Sequence, residues 1–393
     1  MPWGMNTGST IFAQVMDQVH RELFQRSVEK FNGEGTCRTF TCRDQFLSMA
    51  FAQMTFRGSL RDTVDCLCAR SDALYHMGFR GSIRRSTLAD ANEHRDWRIY
   101  ADLAQRLIRK ARRLYQNDPL DIDLSATTYV LDSTTIDLCL NLFPWARFRR
   151  AKAAIKLHTL LDLRGPIPAF ISISEGRQHD VNALDDIFIE PGAFYVMDRA
   201  YLDFLRLHTL HRAGAFFVIR AKHNLRVSRL CSQPVDMTTG VQSDQWIRLK
   251  GFYSRQGYPD VFRRVRYFDE ETRRYFVYLT NHMQLPALVV AQLYKSRWTV
   301  EIFFKWIKQH LRILRFFGES PNAVKTQVWI AVCVYTLVAI IRKELGLTES
   351  LHKILQIMSV NVFEKVPISQ LLTNTLDQSQ KDGSRNQLML FDL

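Results

Sequence analysis

The hydrophobic pattern changes once along the chain, and that change limits the folds open to it. From residue 9 to about 120 apolar residues recur at three and four positions, as in Ile11, Val15, Val19 and Leu23. That is the period of helices packed on one face. From Thr127 the pattern becomes short apolar runs bounded by turns: Tyr129-Val130-Leu131, then 155–163, 167–173, 193–197 and 215–220. These read as strands, with an Arg164-Gly165-Pro166 turn between the second and third. Helices are predicted over 181–188 and 202–211.

Three strands, a helix, a strand, a helix and a strand is the order of a ribonuclease-H-like layered core. The expected class is therefore α/β, with a helical region in front. Residues 225–287 break the order with polar, Gly-containing turns and strand candidates at 245–252, 261–268 and 274–280. They read as a β-rich insertion. Pro286 precedes a predicted long helix over 287–317, which Gly318-Glu319-Ser320-Pro321 ends, and an apolar helix follows over 323–345. The chain of 393 residues then divides into a helical region (1–122), a core (123–224 and 288–345), the insertion (225–287) and a C-terminal helix with a flexible tail (346–393).

Composition narrows the function. Lys plus Arg is 53 and Asp plus Glu is 39, a net charge of +14, and the 47% hydrophobic content excludes a disordered chain. So basic a chain of this size points to a polyanion, with nucleic acid ahead of an anionic membrane. The alternative is charge that only keeps the protein soluble. Between Arg80 and Arg113 ten basic residues face four acidic ones. The turn 78–82 and a Thr87/Asp90 pair resembling a capping box suggest helix-turn-helix DNA binding, with Arg84, Arg85, Arg95 and Arg98 as candidates. The competing reading is a solvated face. The seven cysteines include no CxxC pair, which disfavours zinc and suits reduced thiols. No secretory signal is visible, and the apolar run 328–341 falls short of the ~20 residues that span a bilayer. A cytoplasmic, nucleoid-associated protein without a membrane partner is expected.

Asp132 and Asp198 each end an apolar run, where a carboxylate is costly unless something uses it. A divalent metal is one user, since magnesium takes hard oxygen ligands and keeps waters. A strand-terminal cap is the other reading. On the predicted long helix, at ~100° per residue, Tyr294, Arg297, Glu301 and Lys308 fall within an arc of about 60° on an otherwise apolar surface. One acid, two bases and a phenol suit a carboxylate on a metal with phosphates held beside it. A lone Arg–Glu pair would explain neither Tyr294 nor Lys308.

Here the chain resembles a known family. Tyr294-x2-Arg297-x3-Glu301-x6-Lys308 is similar to the tyrosine–arginine–glutamate–lysine signature of DDE transposases in the bacterial insertion-sequence family numbered four. Leu131-Asp132-Ser133-Thr134 and Met197-Asp198-Arg199-Ala200-Tyr201 resemble that family's first and second Asp motifs, and the β-rich insertion also resembles the family's. The resemblance covers about 125–345. It implies a catalytic triad of Asp132, Asp198 and Glu301 binding two magnesium ions, with manganese as a substitute. One ion would activate water or a 3′-hydroxyl, and the other would stabilise the leaving oxygen. Tyr294, Arg297 and Lys308 would grip phosphates near the cleaved end. The implied activity is cut-and-paste transposition: binding of terminal inverted repeats, cleavage, in relatives a hairpin end, and joining to target DNA by a synaptic homodimer. An inactive DNA-binding regulator and a structure-specific nuclease of the same fold are the alternatives.

Other residues carry weaker signals. Trp298 and Trp246 could stack a displaced base, although a core position is the more frequent use of tryptophan. His158 and His179 lie near the proposed site and receive no role. Arg147, Arg149, Arg150, Lys152 and Lys156 could follow DNA phosphate or form a solvated loop. The terminal Gln387, Leu388, Met389, Leu390 and Phe391 resemble the Gln-Leu-x-Leu-Phe motif with which bacterial proteins dock on the replication sliding clamp. The alternative is an anchor folded onto the core.

Overall fold

The computed structural model describes residues 8–34, 39–120, 122, 124–149, 152–310 and 315–373. The polar tail and the clamp-like segment with Gln387, Leu388, Leu390 and Phe391 lie outside them. Contacts divide the chain into two compact units, 1–114 with 305–393, and 115–304.

The first unit is helical. Its first six helices are α1 (Ile11–Met16), α2 (Arg21–Lys30), α3 (Cys42–Met54), α4 (Leu60–Cys68), α5 (Arg85–His94) and α6 (Arg98–Tyr115). Capping sets their starts. The Thr41 hydroxyl accepts from the Asp44 amide while the Asp44 carboxylate accepts from the Thr41 amide, a reciprocal box that opens α3. The expected box at Thr87 and Asp90 does not form. α5 starts earlier, at Arg85, with no side-chain cap, so both residues lie inside the helix.

The second unit is built on one sheet. Its strands are β1 (Thr128–Leu138), β2 (Arg147–Arg149), β3 (Lys152–Asp162), β4 (Ile167–Glu175), β5 (Phe194–Met197), β6 (Phe216–Arg220), β7 (Val227–Gln233), β8 (Val241–Leu249), β9 (Phe262–Asp269) and β10 (Arg274–Thr280). The main path runs β3-β1-β5-β6-β10-β9-β8-β7, with β2 and β4 both paired to β3. β1 is antiparallel to β3 along its whole length and parallel to β5 over four residues; β5 is parallel to β6. The runs at 129–131, 195–197 and 217–219 are buried throughout, as expected of strands covered on both faces. Helices α7 (Phe204–Arg212), α8 (Phe252–Gly257), α9 (Ala287–Lys295) and α10 (Trp298–His310) follow in chain order.

Three differences from the sequence reading stand out here. Residues 181–188 hold only a 3-10 turn, Asp180–Asp185. Residues 225–287 supply four strands rather than three, because β7 is half-exposed and lacks a dense apolar run. These strands continue the central sheet through the β10–β6 ladder. The predicted long helix over 287–317 is interrupted. At 296–300 the backbone bonds shorten to i−3, from Arg297 to Tyr294, from Thr299 to Ser296 and from Val300 to Arg297, which separates α9 from α10.

The helical unit closes with α11 (Pro321–Glu344) and α12 (Leu351–Val360). Ser320 caps α11, and its residues from Ala323 to Ile341 are buried, Lys325 excepted. A helix apolar on all faces has to be surrounded. It packs against α3, α5 and α12, so it is a core helix of this unit, whereas the sequence boundaries had grouped it with the sheet. Its length and composition would also suit a membrane span, but its burial among these helices accounts for its apolar surface.

Candidate functional site

Register brings the two aspartates together. The β1–β5 ladder ends at the pair Leu131 and Met197, and Asp132 and Asp198 come next. Asp198 follows the last residue of β5, as expected. Asp132 does not end its strand: β1 continues to Leu138, paired only with β3. It is nonetheless the first residue beyond the parallel neighbour, where the sheet opens.

Helices α9 and α10 deliver the other groups. A buried ion pair fixes the approach to α9: Arg263 Nε and Nη2 meet Asp244 Oδ1 and Oδ2 at 2.9 and 2.7 Å. Arg263 Nη1 also donates to the carbonyl oxygens of His282 and Leu285, just before α9. Tyr294, in the last turn of α9, then donates its hydroxyl to Asp198 Oδ1 at 3.0 Å. Arg297, in the break between the helices, donates Nη1 to Asp132 Oδ2 and Nη2 to Glu301 Oε1, both at 2.6 Å. One guanidinium thus joins a strand carboxylate to a helix carboxylate 169 positions away in sequence.

The electrostatics are those of a crowded anionic site. Burial raises the pKa of Asp132 to about 6, opposed by Arg297 and the Ser133 amide and reinforced by Asp198 and Glu301. Burial works against the charge on Arg297, but Asp132 and Glu301 outweigh it and hold its pKa above the ordinary value. Burial and the Asp198 carboxylate push the Tyr294 phenol up, so it donates a proton.

The donor set fits a hard divalent cation, being three carboxylates with partly open oxygens. As they stand, no three such groups among the described residues are arranged to hold one. Arg297 occupies one oxygen of Asp132 and one of Glu301, so a cation on both has to share or displace that guanidinium.

Other predicted residues separate. Lys308 is half-exposed on α10, two turns beyond Glu301. Trp298 is 60% exposed, contrary to the core position taken as more frequent for it, while the Trp246 indole nitrogen is buried on β8. Arg84, Arg85 and Arg98 are exposed. Arg95 is not available to DNA: it is buried, donates to Gln45 Oε1 and the Phe40 carbonyl, and lies over the Phe40 ring at 5.3 Å. Lys156 is likewise committed, to Asp180 Oδ1 at 3.0 Å and the Gln178 carbonyl at 2.9 Å.

Beside Asp132 lies a polar group in which the sequence singles out Lys156 and His158 but not Asp180. Ser133 Oγ donates to Asp180 Oδ1 at 2.8 Å, beside Lys156, and the buried His158 hydrogen-bonds Ser174 Oγ at 2.8 Å through Nε2. The β1–β3 register sets His158 opposite Ser133, whereas Asp180 comes from the 3-10 turn after β4, a polar segment without periodicity, and joins through its hydrogen bonds to Ser133 and Lys156.

Comparison with known proteins decides the family. A model of the transposase DDE domain matches residues 124–337. The chain belongs to the DDE transposases. It is 30% identical over 294 residues to a Sinorhizobium fredii protein named as a transposase, y4zB, covering 72% of this chain and 79% of that protein. It is 27% identical over 335 residues to a Geobacillus stearothermophilus protein named as a transposase for insertion sequence element IS5377, covering 85% of each. A model of a domain of unknown function, DUF4372, matches residues 7–80 of this transposase. The DDE match runs from before β1 into α11, and so includes every residue of the carboxylate cluster.

Proposed function

We propose that this chain is a cut-and-paste transposase that binds the terminal inverted repeats of its element, cleaves them and joins them to target DNA. The observation carrying this reading is the Asp132–Arg297–Glu301 bridge with Tyr294 on Asp198, which gathers the three carboxylates of the resemblance at the open end of a parallel strand pair. The order β1, β3, β4, β5, α7, β6 supports a ribonuclease-H-like core, with 225–287 as its β-rich insertion.

In this reading Asp132, Asp198 and Glu301 hold two magnesium ions, which manganese can replace. When bound, these supply Lewis-acid stabilisation of charge on the scissile phosphate. Arg297 then turns from the carboxylates toward phosphate oxygens, a change its planar fork suits. Tyr294 orients Asp198, and Lys308 grips the backbone of the cleaved end. Trp298, exposed at the start of α10, stacks a base displaced in a hairpin end. Arg84, Arg85 and Arg98 bind the terminal repeat. Two transposase molecules pair two ends in a homodimer, and the protein works at the nucleoid of a bacterial cytoplasm. The tail with Gln387, Leu388, Leu390 and Phe391 docks on the sliding clamp. A peptide of residues 383–393 is expected to bind the clamp at roughly micromolar strength, ~8 kcal/mol, and loss of Leu390 and Phe391 to abolish it.

A supercoiled plasmid carrying the element's ends, incubated with protein and magnesium, tests the main reading. Excision followed by joining supports a transposase. Cutting without joining identifies a nuclease, and end binding without cutting identifies a regulator.

A further inference from the structure

The helical unit contains a cleft of about 970 Å³ between one face of α2, the first turn of α3 and the segment around Phe79 and Arg80. Arg21, Arg26, Arg43 and Arg80 line it. Arg43 is the anomaly. Every other residue of α3 is buried, and of these Gln53 alone, at Oε1, also has a buried side-chain oxygen or nitrogen without a hydrogen bond among the described residues. Arg43 Nε and Nη1 are buried and make no hydrogen bond among the described residues. It stands at the second position of α3, where unpaired backbone N–H groups make a cation unfavourable. Burial and the neighbouring Arg21 push its guanidinium below the ordinary pKa, against a partial pull from Asp17 and Asp44.

Asp17 and the cleft's Asp44 attract Arg43 through space, but no ion pair to it forms among the described residues. The Asp44 carboxylate accepts from the Thr41 amide and hydroxyl and from the Arg80 amide. Glu34 accepts from the Cys42 amide at 3.3 Å, and Glu29 from Gln25 at 3.4 Å. Among the described residues, none of the four arginines forms an ion pair with a carboxylate. The chain therefore carries the cost of a half-buried guanidinium with two unpaired nitrogens at the wrong end of a helix. Such local violations mark functional sites.

We infer that this cleft binds the phosphate backbone of a DNA end, with Arg43 as its central contact and Arg21, Arg26 and Arg80 around it. A phosphate oxygen pair matches the free edge of a guanidinium and is favoured by the same helix N-terminus that disfavours Arg43 alone. DNA is the source of phosphate chosen, because the chain is a transposase with a net charge of +14. The inference rests on the DNA-end-binding reading, and assigns part of that binding to the segment matched by the domain of unknown function.

The test uses full-length protein, a fluorescent duplex of the terminal repeat, and thermal melting. Arg43→Met should raise Kd about tenfold near 0.1 M salt and reduce the slope of log K against log salt by about one. Its Tm should stay level or rise, since an unsatisfied cation is replaced by an apolar chain. Unchanged affinity with a lower Tm makes Arg43 structural and overturns the inference. If affinity and Tm both fall, the exposed triple variant Arg21→Gln, Arg26→Gln, Arg80→Gln decides: weaker binding with a flatter salt slope supports the cleft, and unchanged binding overturns it. If inorganic phosphate raises the Tm of wild type alone while both proteins bind DNA equally, the cleft takes small phosphates instead of DNA. A wild-type protein that binds no duplex sinks the end-binding reading as well, whereas loss confined to the cleft idea leaves wild-type binding intact.

Discussion

Leu131 and Met197 are the last paired residues where β1 runs parallel to β5, and the residue after each is an aspartate. The strands run parallel, so one step past the same register pair leaves Asp132 and Asp198 neighbours, although β1 itself continues to Leu138. The arrangement needs no long-range coincidence beyond the register, which the buried runs Tyr129-Val130-Leu131 and Tyr195-Val196-Met197 fix.

Asp132→Asn, Asp198→Asn and Glu301→Gln should each abolish strand cleavage while leaving affinity for the transposon end within about threefold. Each removes one charge at nearly constant volume. Cleavage of end-bearing plasmid, read beside a binding isotherm, checks this. A variant that cuts at near the wild-type rate drops out of the triad.

The raised pKa of Asp132 makes a stability prediction for the metal-free protein. Its folded value of about 6 exceeds the ordinary aspartate value of 3.8, so the folded state holds the extra proton between these limits. The stabilising contribution is complete below pH ~4 and is lost as pH rises through ~6, on the order of 3 kcal/mol. Denaturant titrations in chelator should show wild type losing stability relative to Asp132→Asn across that window. Parallel curves for the two proteins from pH 4 to 7 would remove the burial argument.

Arg297→Ala and Lys308→Ala should impair hairpin formation or joining more than initial end binding. Arg297 joins Asp132 to Glu301 at the site itself, so its loss should also slow first-strand nicking, which Lys308→Ala should spare. Single-turnover assays that resolve nicking from later steps separate the two. Equal loss of DNA affinity and of every step in both variants would contradict this division.

Much of this site was legible in the sequence, for a physical reason. Aspartates that close apolar runs and the spacing of Tyr294, Arg297 and Glu301 are short-range signals, and the structure joins them by direct hydrogen bonds, although Asp132 lies inside β1 rather than at its end. The helical arc assumed a straight helix. The break at 296–297 instead turns Arg297 so that it reaches Asp132 and Glu301 together, and no periodicity announces such a break. Asp180 was missed because its partners, Ser133 and Lys156, lie 47 and 24 positions earlier in the chain. The burial of Arg95 was equally hidden: its neighbours Phe40 and Gln45 lie about fifty residues earlier in the chain.

Gly165 is the point where the turn between β3 and β4 tolerates nothing larger. Its φ is +91°, and a Cβ there would stand 2.0 Å from Tyr115 Cδ1. Gly165→Ala combines left-handed backbone strain with a clash against a buried ring, so it should cost on the order of 2–3 kcal/mol. Chemical denaturation measures this directly. A loss below about 0.5 kcal/mol would mean that Tyr115 moves aside freely.

The basic segment supplies a contrast between neighbours. Arg95→Ala removes hydrogen bonds to Gln45 and the Phe40 carbonyl and leaves that carbonyl without this partner, a cost on the order of 2 kcal/mol. It should lower Tm and change DNA affinity little under conditions where the variant stays folded. Arg84, Arg85 and Arg98 are exposed; Arg98 pairs with Asp96, two residues away, and lies over the Phe31 ring at 5.2 Å. Replacing these three with Gln should leave Tm within about 1 °C, since exposed pairs contribute little. It should raise Kd for the terminal repeat about tenfold and flatten the salt dependence by up to three phosphate contacts. Melting curves and anisotropy titrations on the two proteins give four readings. If Arg95→Ala weakens DNA binding at constant Tm, or the exposed triple leaves the salt slope unchanged, the division between a structural and a DNA-facing arginine in this segment is wrong.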